Sequence, residues 1–449
     1  MDVSAVGAHT AGMGDATSNS PGGARRALIA ASIGSFVEGY DLALYGFFAV
    51  ILSKQFFPPS DPTAALLATF AIFALGFAAR PLGGLVFGHV GDRLGRRSSL
   101  AASILVMTVG TLTISVLPTY ARVGVWASVL LLVCRLVQGL SIGGEVAGGN
   151  IFVLEHARPG RSGRAVSANL AGSSMGFAVA AGTSLVLAAV LDAQQMASWG
   201  WRIPFAVAAP LGLIGVFLRM KVADTPHFRA ADRELQRFPL IHAVRTATRG
   251  LLLFAGFAAM ALLGGYLLVG YLPSYLTRVA GLSTGETFAA TLGGVLILAG
   301  SLVLGGVLID RFPPRAVAMA SALAMAVVAV PGLLIVRQGT LAAAMLGAAL
   351  WAVVLGVANT AGASLSLMLF PTPIWFTATA LALNVTAAVF GGTGPYVSTW
   401  LVDTTGNPIA PAVYLTVVAL ASLIVATALP QTGPGLSAAK ASALSLRGL

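Results

Sequence analysis

From about residue 27 to about residue 428 the chain repeats one pattern, an apolar stretch rich in Leu, Ala, Val and Gly followed by a short polar turn. A membrane-spanning helix needs about 20 apolar residues at about 1.5 Å of rise each. By that measure the first half holds spans at about 27–52, 64–88, 98–117, 123–153, 165–191 and 202–219. The second half holds spans at about 250–277, 286–309, 315–336, 340–367, 374–401 and 408–428. Lipid admits only helices and closed barrels, and these runs are continuous and lack the alternation of a barrel strand. Twelve helices are therefore expected.

The longest polar stretch, Arg219 to Arg249, separates the halves. The expected division is a disordered N-terminus at 1–24, a six-helix bundle at 25–219 and a linker at 220–249. A second six-helix bundle at 250–428 and a tail at 429–449 follow. Of the 26 Lys and Arg residues, 19 fall in the termini, the linker and alternate turns on one side, and five fall on the other. Positive charge favours the cytoplasmic side, so both termini are expected there, which requires an even number of spans.

Composition agrees with a lipid solvent. The 449 residues are 57% hydrophobic and 9% charged, whereas a soluble domain is nearer 25% charged. The formal charge of +11 would fit nucleic acid, but the basic residues sit in short turns between spans, so no nucleic-acid partner is expected. Cys134 alone cannot form an internal disulfide framework, and the five histidines are scattered without zinc spacing. Residues 1–24 contain no apolar core of a cleaved signal peptide. The glycine run 143–149 lacks the Gly-Lys-Ser/Thr ending of a phosphate loop. No Ser-His-Asp or dinucleotide constellation stands out, so neither an enzyme nor a cofactor is expected.

Glu38, Asp41, Arg80, Arg135 and Glu145 lie inside expected spans. Each costs roughly 2.5–3.5 kcal/mol at mid-membrane, on the order of 12–17 kcal/mol for five before pairing. Such residues face a wet cavity or each other. Glu38, Asp41 and Tyr45 share a helical face, and two carboxylates one turn apart repel, so one is expected to carry a transported proton. Arg135, Gln138, Ile142 and Glu145 form another largely polar stripe. Arginine grips a carboxylate through two parallel hydrogen bonds, making Arg80 and Arg135 the expected ligands of an anionic or zwitterionic solute, with ion pairing between helices as the alternative. The second half carries only neutral polar or aromatic candidates, including Tyr266, Tyr271, Asn359, Ser366, Asn384 and Tyr396. These suit selection by shape. Gly139/Gly143 and Gly172/Gly176 suit close helix packing.

Two charged turns repeat half a chain apart. Gly88-His-Val-Gly-Asp-Arg-Leu-Gly-Arg-Arg97 has a damaged copy 218 residues later, Gly306-Val-Leu-Ile-Asp-Arg-Phe-Pro-Pro-Arg315. The first resembles the loop between helices two and three of major facilitator transporters. Further strings narrow the resemblance to the metabolite:proton symporters of that superfamily. They are Glu38-Gly-Tyr-Asp41, Ala79-Arg-Pro-Leu-Gly-Gly84, Arg135-Leu-Val-Gln-Gly-Leu-Ser-Ile-Gly-Gly-Glu145, Trp199-Gly-Trp-Arg-Ile-Pro-Phe205, Asp224-Thr-Pro-His-Phe228, Tyr271-Leu-Pro-Ser-Tyr275 and Phe390-Gly-Gly-Thr-Gly-Pro395.

That resemblance implies an all-α membrane protein with two six-helix bundles around a central cavity. It also implies a bacterial inner-membrane carrier working as a monomer, with alternating access and symport of a small carboxylated metabolite or osmolyte with protons. Glu38, Asp41 and Glu145 take proton-coupling roles by the resemblance. From their positions and chemistry Tyr45, Arg80, Arg135, Gln138, Tyr266, Asn359 and Asn384 are the substrate candidates, with plain packing as the alternative for those in the second half. Gly88, Asp92, Arg93, Arg96, Arg97, Asp310, Arg311 and Arg315 form the expected gate. A drug–proton antiporter and a non-transporting sensor are the rival readings. Relatives place aromatics where Gly39 and Leu42 stand, so a wider or differently stacked cavity is expected. Pro313-Pro314 replaces Gly-Arg in the second turn, and Phe370–Phe376 lacks the usual arginines. Asp310 is therefore expected to have fewer partners than Asp92 and to matter less.

Overall fold

The computed structural model describes residues 21–94, 96–143, 162–221, 239–371 and 374–430. Glu145, most of the linker, both termini, and the side chains of Asp92, Arg93, Arg96 and Arg97 with Gly88 lie outside what is described. The first half contains α1 (Pro21–Phe47), α2 (Pro62–Leu94), α3 (Arg96–Val116), α4 (Trp126–Ile142), α5 (Ser162–Val190) and α6 (Arg202–Lys221). In the second half α7 (Pro239–Tyr266) runs on through a wide π-helical turn, Leu267–Tyr271, into Leu272–Arg278. Then come α8 (Thr284–Arg311), α9 (Pro314–Val336), α10 (Leu341–Leu369), α11 (Trp375–Thr386) and α12 (Ala410–Thr427). A π-helical turn at Ala387–Gly392 joins α11 to a further helical piece, Gly394–Thr405.

Nine of the described helices are long and apolar enough to cross a membrane, and α1 with its extension Ala49–Phe56, bent by 64°, makes a tenth. The remaining two, α4 and α11, are shorter as described, and α11 reaches span length only across its wide turn. Some boundaries differ from the sequence reading. α7 starts inside the expected linker and kinks at Ala247, where φ is −121° and ψ 20°. Val116, Val190, Leu252 and Ile424 stand 68–72% exposed, which is tolerable because lipid tails replace the missing protein contacts.

Packing follows the duplication. In the first half α1 packs on α5, α2 on α4 and α3 on α6; in the second, α7 packs on α11, α8 on α10 and α9 on α12. Between halves α5 meets α8 and α2 meets α11. Adding six to each helix number maps one half's pairs onto the other's, and exchanges the two inter-half contacts. Close approach needs glycine at the α2–α4 crossing. A methyl group on Gly139 would lie 1.9 Å from the Gly76 carbonyl oxygen, and one on Gly143 would lie 1.8 Å from that of Arg80. These crossings fix the register between the helices that carry Arg80 and Arg135.

Candidate functional site

Asp41 on α1 is 2% exposed and is met by groups from two other helices. Thr111 on α3 and Gln138 on α4 both donate to its Oδ1, the latter at 2.6 Å. Arg135 Nη1 lies 3.6 Å from its Oδ2 and donates to Gln138 Oε1 at 2.9 Å. Since arginine carries only donors, the Gln138 carbonyl must face Arg135 and its amide nitrogen must face Asp41. The Arg135 guanidinium also covers the Tyr45 ring, 4.3 Å from its centroid, and approaches Phe73 at 5.3 Å.

Glu38 sits one turn away but joins a different cation. Its Oε1 is 4.0 Å from Arg80 Nη1. The repelling carboxylate pair expected from sequence is thus resolved into two acid–arginine pairs, which removes the reason given for one of them to stay protonated. Arg80 is 3% exposed and lies 3.9 Å over the Phe77 ring. Its Nε and Nη2 are buried without a hydrogen-bond partner. These two atoms form the parallel fork that fits a carboxylate. Arg135 has only Nε in that condition, so the expected equivalence of the two arginines does not hold.

Tyr266, at the end of α7, crosses from the other half. Its ring meets Phe77 edge-on at 4.8 Å and Phe73 at 6.2 Å, and its hydroxyl faces Arg80. Asn384 of α11 also crosses, donating to the Gly143 carbonyl at 3.3 Å. Asn359 instead bonds Leu355 of its own helix, and the Tyr45 hydroxyl donates to the Thr69 carbonyl at 2.9 Å. For these two side chains the visible polar role is intramolecular. Leu42 lines the recess beside Arg80 and Gln138. Gly39 does not, since a methyl group there would lie 2.3 Å from the Ser173 carbonyl oxygen on α5. The absence of an aromatic at 39 therefore reflects helix packing and does not widen the cavity.

Thr111, Phe73 and Phe77 were not among the residues picked from sequence. Phe70, Phe73, Phe77 and Arg80 step by three, four and three, and so do the buried Thr108, Thr111 and Ser115 by three and four. The stripes were readable. A membrane threonine can bond its own helix's carbonyl, however, and an aromatic stripe is ordinary core, so neither advertises a site.

At the end of the bundle where α5 begins, Asp310 Oδ1 accepts from the Gly163 backbone N–H at 2.8 Å, and its Oδ2 lies 3.5 Å from Arg164 Nε. Asp310 thus finds its partners on the opposite half and not in its own damaged turn, while the side chain of Asp92, expected to have more partners, lies outside the described residues. Arg315 points elsewhere, donating to the Thr427 carbonyl at the end of α12, and Arg311 is exposed.

Comparison with known proteins bears on this arrangement. Residues 27–237 match the family model described as Sugar (and other) transporter. A proline/betaine transporter of Salmonella typhimurium is 35% identical over 438 residues, covering 94% of this chain and 86% of that protein. The chain belongs to the metabolite:proton symporters of the major facilitator superfamily. This carrier is also 36% identical over 436 residues to the proline/betaine transporter of Escherichia coli K12, with 93% and 86% covered. A citrate-proton symporter of Klebsiella pneumoniae is 32% identical over 405 residues, with 90% and 91% covered. The crystal structure of a D-xylose-proton symporter shares the fold, with a TM-score of 0.73 at 20% identity over 91% of this chain and 98% of that one. The carrier is a multi-pass membrane transporter and not an enzyme.

Proposed function

We propose that the carrier takes up a small zwitterion with a proton, binding the solute's carboxylate on Arg80 and the proton on Asp41. The open fork of Arg80 carries the solute assignment, and Asp41, a buried acid whose Oδ2 makes no hydrogen bond, carries the proton assignment. A buried guanidinium with two unbonded donors costs several kcal/mol in desolvation, and a carboxylate is the group whose geometry relieves it. Charge balance selects among carboxylates. Glu38 and Asp41 offset Arg80 and Arg135, and the coupled proton on Asp41 leaves one positive charge; a zwitterion does not change that charge, while a tricarboxylate would turn it into an uncompensated double negative charge inside lipid. The Tyr266 ring beside Arg80 suits an ammonium group, and Glu38 stands beside Arg80 to attract it. The proline/betaine transporters among the relatives fit this choice better than the citrate-proton symporter.

In this reading residues 25–219 and 250–428 are two rocking bundles, joined by the 220–249 linker, with 1–24 and 429–449 as cytoplasmic ends. Both termini face the cytoplasm of a bacterial inner membrane, following the excess of Lys and Arg on that side, and the carrier acts as a monomer without nucleic acid. Asp310 with Arg164, and the Asp92 turn with Arg93, Arg96 and Arg97, hold the cytoplasmic side closed. The test is uptake into proteoliposomes under an imposed pH gradient, with proline, glycine betaine and citrate as separate solutes. Proline or glycine betaine should accumulate and citrate should not. Asp41→Asn should abolish accumulation while leaving exchange of labelled for unlabelled solute. Accumulation of citrate alone would overturn the zwitterion reading, and normal accumulation by Asp41→Asn would overturn the proton assignment.

A further inference from the structure

Thr111 belongs to neither acid–arginine pair, yet it touches Asp41 and its hydrogen bonds can be drawn in two complete ways. It is 1% exposed. Its hydroxyl faces Asp41 Oδ1, and also the Met107 carbonyl one turn back on α3 at 3.0 Å. A hydroxyl has one proton to give and two lone pairs with which to accept, so it serves only one of these acceptors at a time. The amide of Gln138 donates to the same hydroxyl oxygen at 2.8 Å and to Asp41 Oδ1 at 2.6 Å.

With Asp41 ionised, Thr111 gives its proton to the carboxylate and accepts from Gln138. With Asp41 protonated, the new O–H donates to the Thr111 oxygen, which still accepts from Gln138, and the threonine proton turns to the Met107 carbonyl. One proton has been added, drawn from water on the side to which the site opens. Neither the Thr111 hydroxyl nor the Gln138 amide loses a partner in either state, and Gln138 need not move. Protonation also cancels the charge that holds Arg135, freeing that guanidinium at the same moment.

We propose that Thr111 is a positioning residue for proton coupling, a two-way switch that lets Asp41 gain and lose its proton inside the membrane while every hydrogen bond around its Oδ1 keeps a partner. The proposal rests on Asp41 being the proton site. The charges acting on Asp41 are Arg135 from α4 and Arg80 from α2. Glu38 and Tyr45 share its helix, while Cys134 and Tyr266 sit further out against the arginines. None of these is altered by changing Thr111.

Thr111→Val keeps the shape and removes all three of the hydroxyl's contacts, to Asp41, to the Met107 carbonyl and from Gln138. A hydrogen bond to a charged acceptor is worth more than one between neutral groups, so the ionised form loses more. The measurement is infrared titration of the protonated-carboxyl C=O stretch in the purified full-length carrier in liposomes, which needs no transported solute. The band absent from Asp41→Asn is the Asp41 band. In Thr111→Val its midpoint should rise by roughly 0.5–1.5 pH units, and the band should move to higher frequency because the acid has lost its acceptor. Thr111→Ser should restore both. If the Thr111→Val and wild-type titrations superpose, the switch is refuted while Asp41 keeps its role. If no band depends on Asp41, the proton assignment itself fails, and the switch with it. A fold defect in Thr111→Val would show as lost detergent stability, and Thr111→Ala then repeats the comparison; a titration matching wild type in that variant refutes the switch equally.

Discussion

Asp310→Asn should unlatch the end of the bundle where α5 meets α8, and the size of the effect can be worked from the contacts. The native carboxylate, 7% exposed in its side chain, accepts the Gly163 N–H at 2.8 Å in the first described turn of α5. Hydrogen bonds involving charge contribute about 1.5–3 kcal/mol against about 0.5–1.5 for neutral ones. Asparagine keeps the acceptor, so that bond weakens by about 1 kcal/mol. The negative charge at a helix N-terminus adds about 0.3–1 kcal/mol. The Arg164 pair adds less than about 1 kcal/mol because the arginine side chain is 49% exposed. Together the loss is about 1.5–3 kcal/mol, which moves the open-to-closed ratio at this end by roughly ten- to a hundredfold. The assay is labelling of a single cysteine introduced beside Gly163 in a background lacking Cys134, with a membrane-impermeant thiol reagent applied from each side. Labelling should rise from one side only, and uptake should slow. Arg164→Ala should reproduce only a small part of the change. Labelling and uptake both unchanged in Asp310→Asn would refute the latch, and would restore the sequence-based view that the damaged turn makes Asp310 dispensable.

The two arginines should separate in binding. Arg80→Lys loses the fork and should weaken binding of the accumulated solute by about 1–3 kcal/mol, whereas Arg135→Lys should mainly disturb proton coupling; equal losses of affinity, measured by calorimetry, would contradict this. Gly143→Ala inserts a methyl 1.8 Å from the Arg80 carbonyl oxygen. It should force α2 from α4 and cost about 1–3 kcal/mol, read as a lower thermal midpoint in detergent with impaired uptake. Arg202 donates to the Ser115 and Leu117 carbonyls at 2.6 and 3.0 Å, closing the end of α3. Arg202→Ala should therefore lower the thermal midpoint, by about 1–3 kcal/mol of stability, while leaving solute affinity in the surviving protein near wild type.

The halves, the helical class and the buried charges were legible in the chain because lipid punishes exceptions. A run of about 20 apolar residues has one stable backbone solution there, and an ionisable residue inside it is conspicuous by its cost. Helical spacing then put Asp41 with Tyr45, and Arg135 with Gln138, on common faces. It could not say which arginine would meet which acid. That choice depends on how α2 and α4 sit against each other and against α1, and the glycine crossings at Gly139 and Gly143 fix the first of these. The same limit hid Thr111, whose importance arises only when α3 carries it to Asp41. It also hid where Asp310 finds its partners, which come from α5 in the other half and not from its own turn. Periodicity along one helix reports its faces, but pairing across helices is decided by interhelical register, and no local pattern encodes that register.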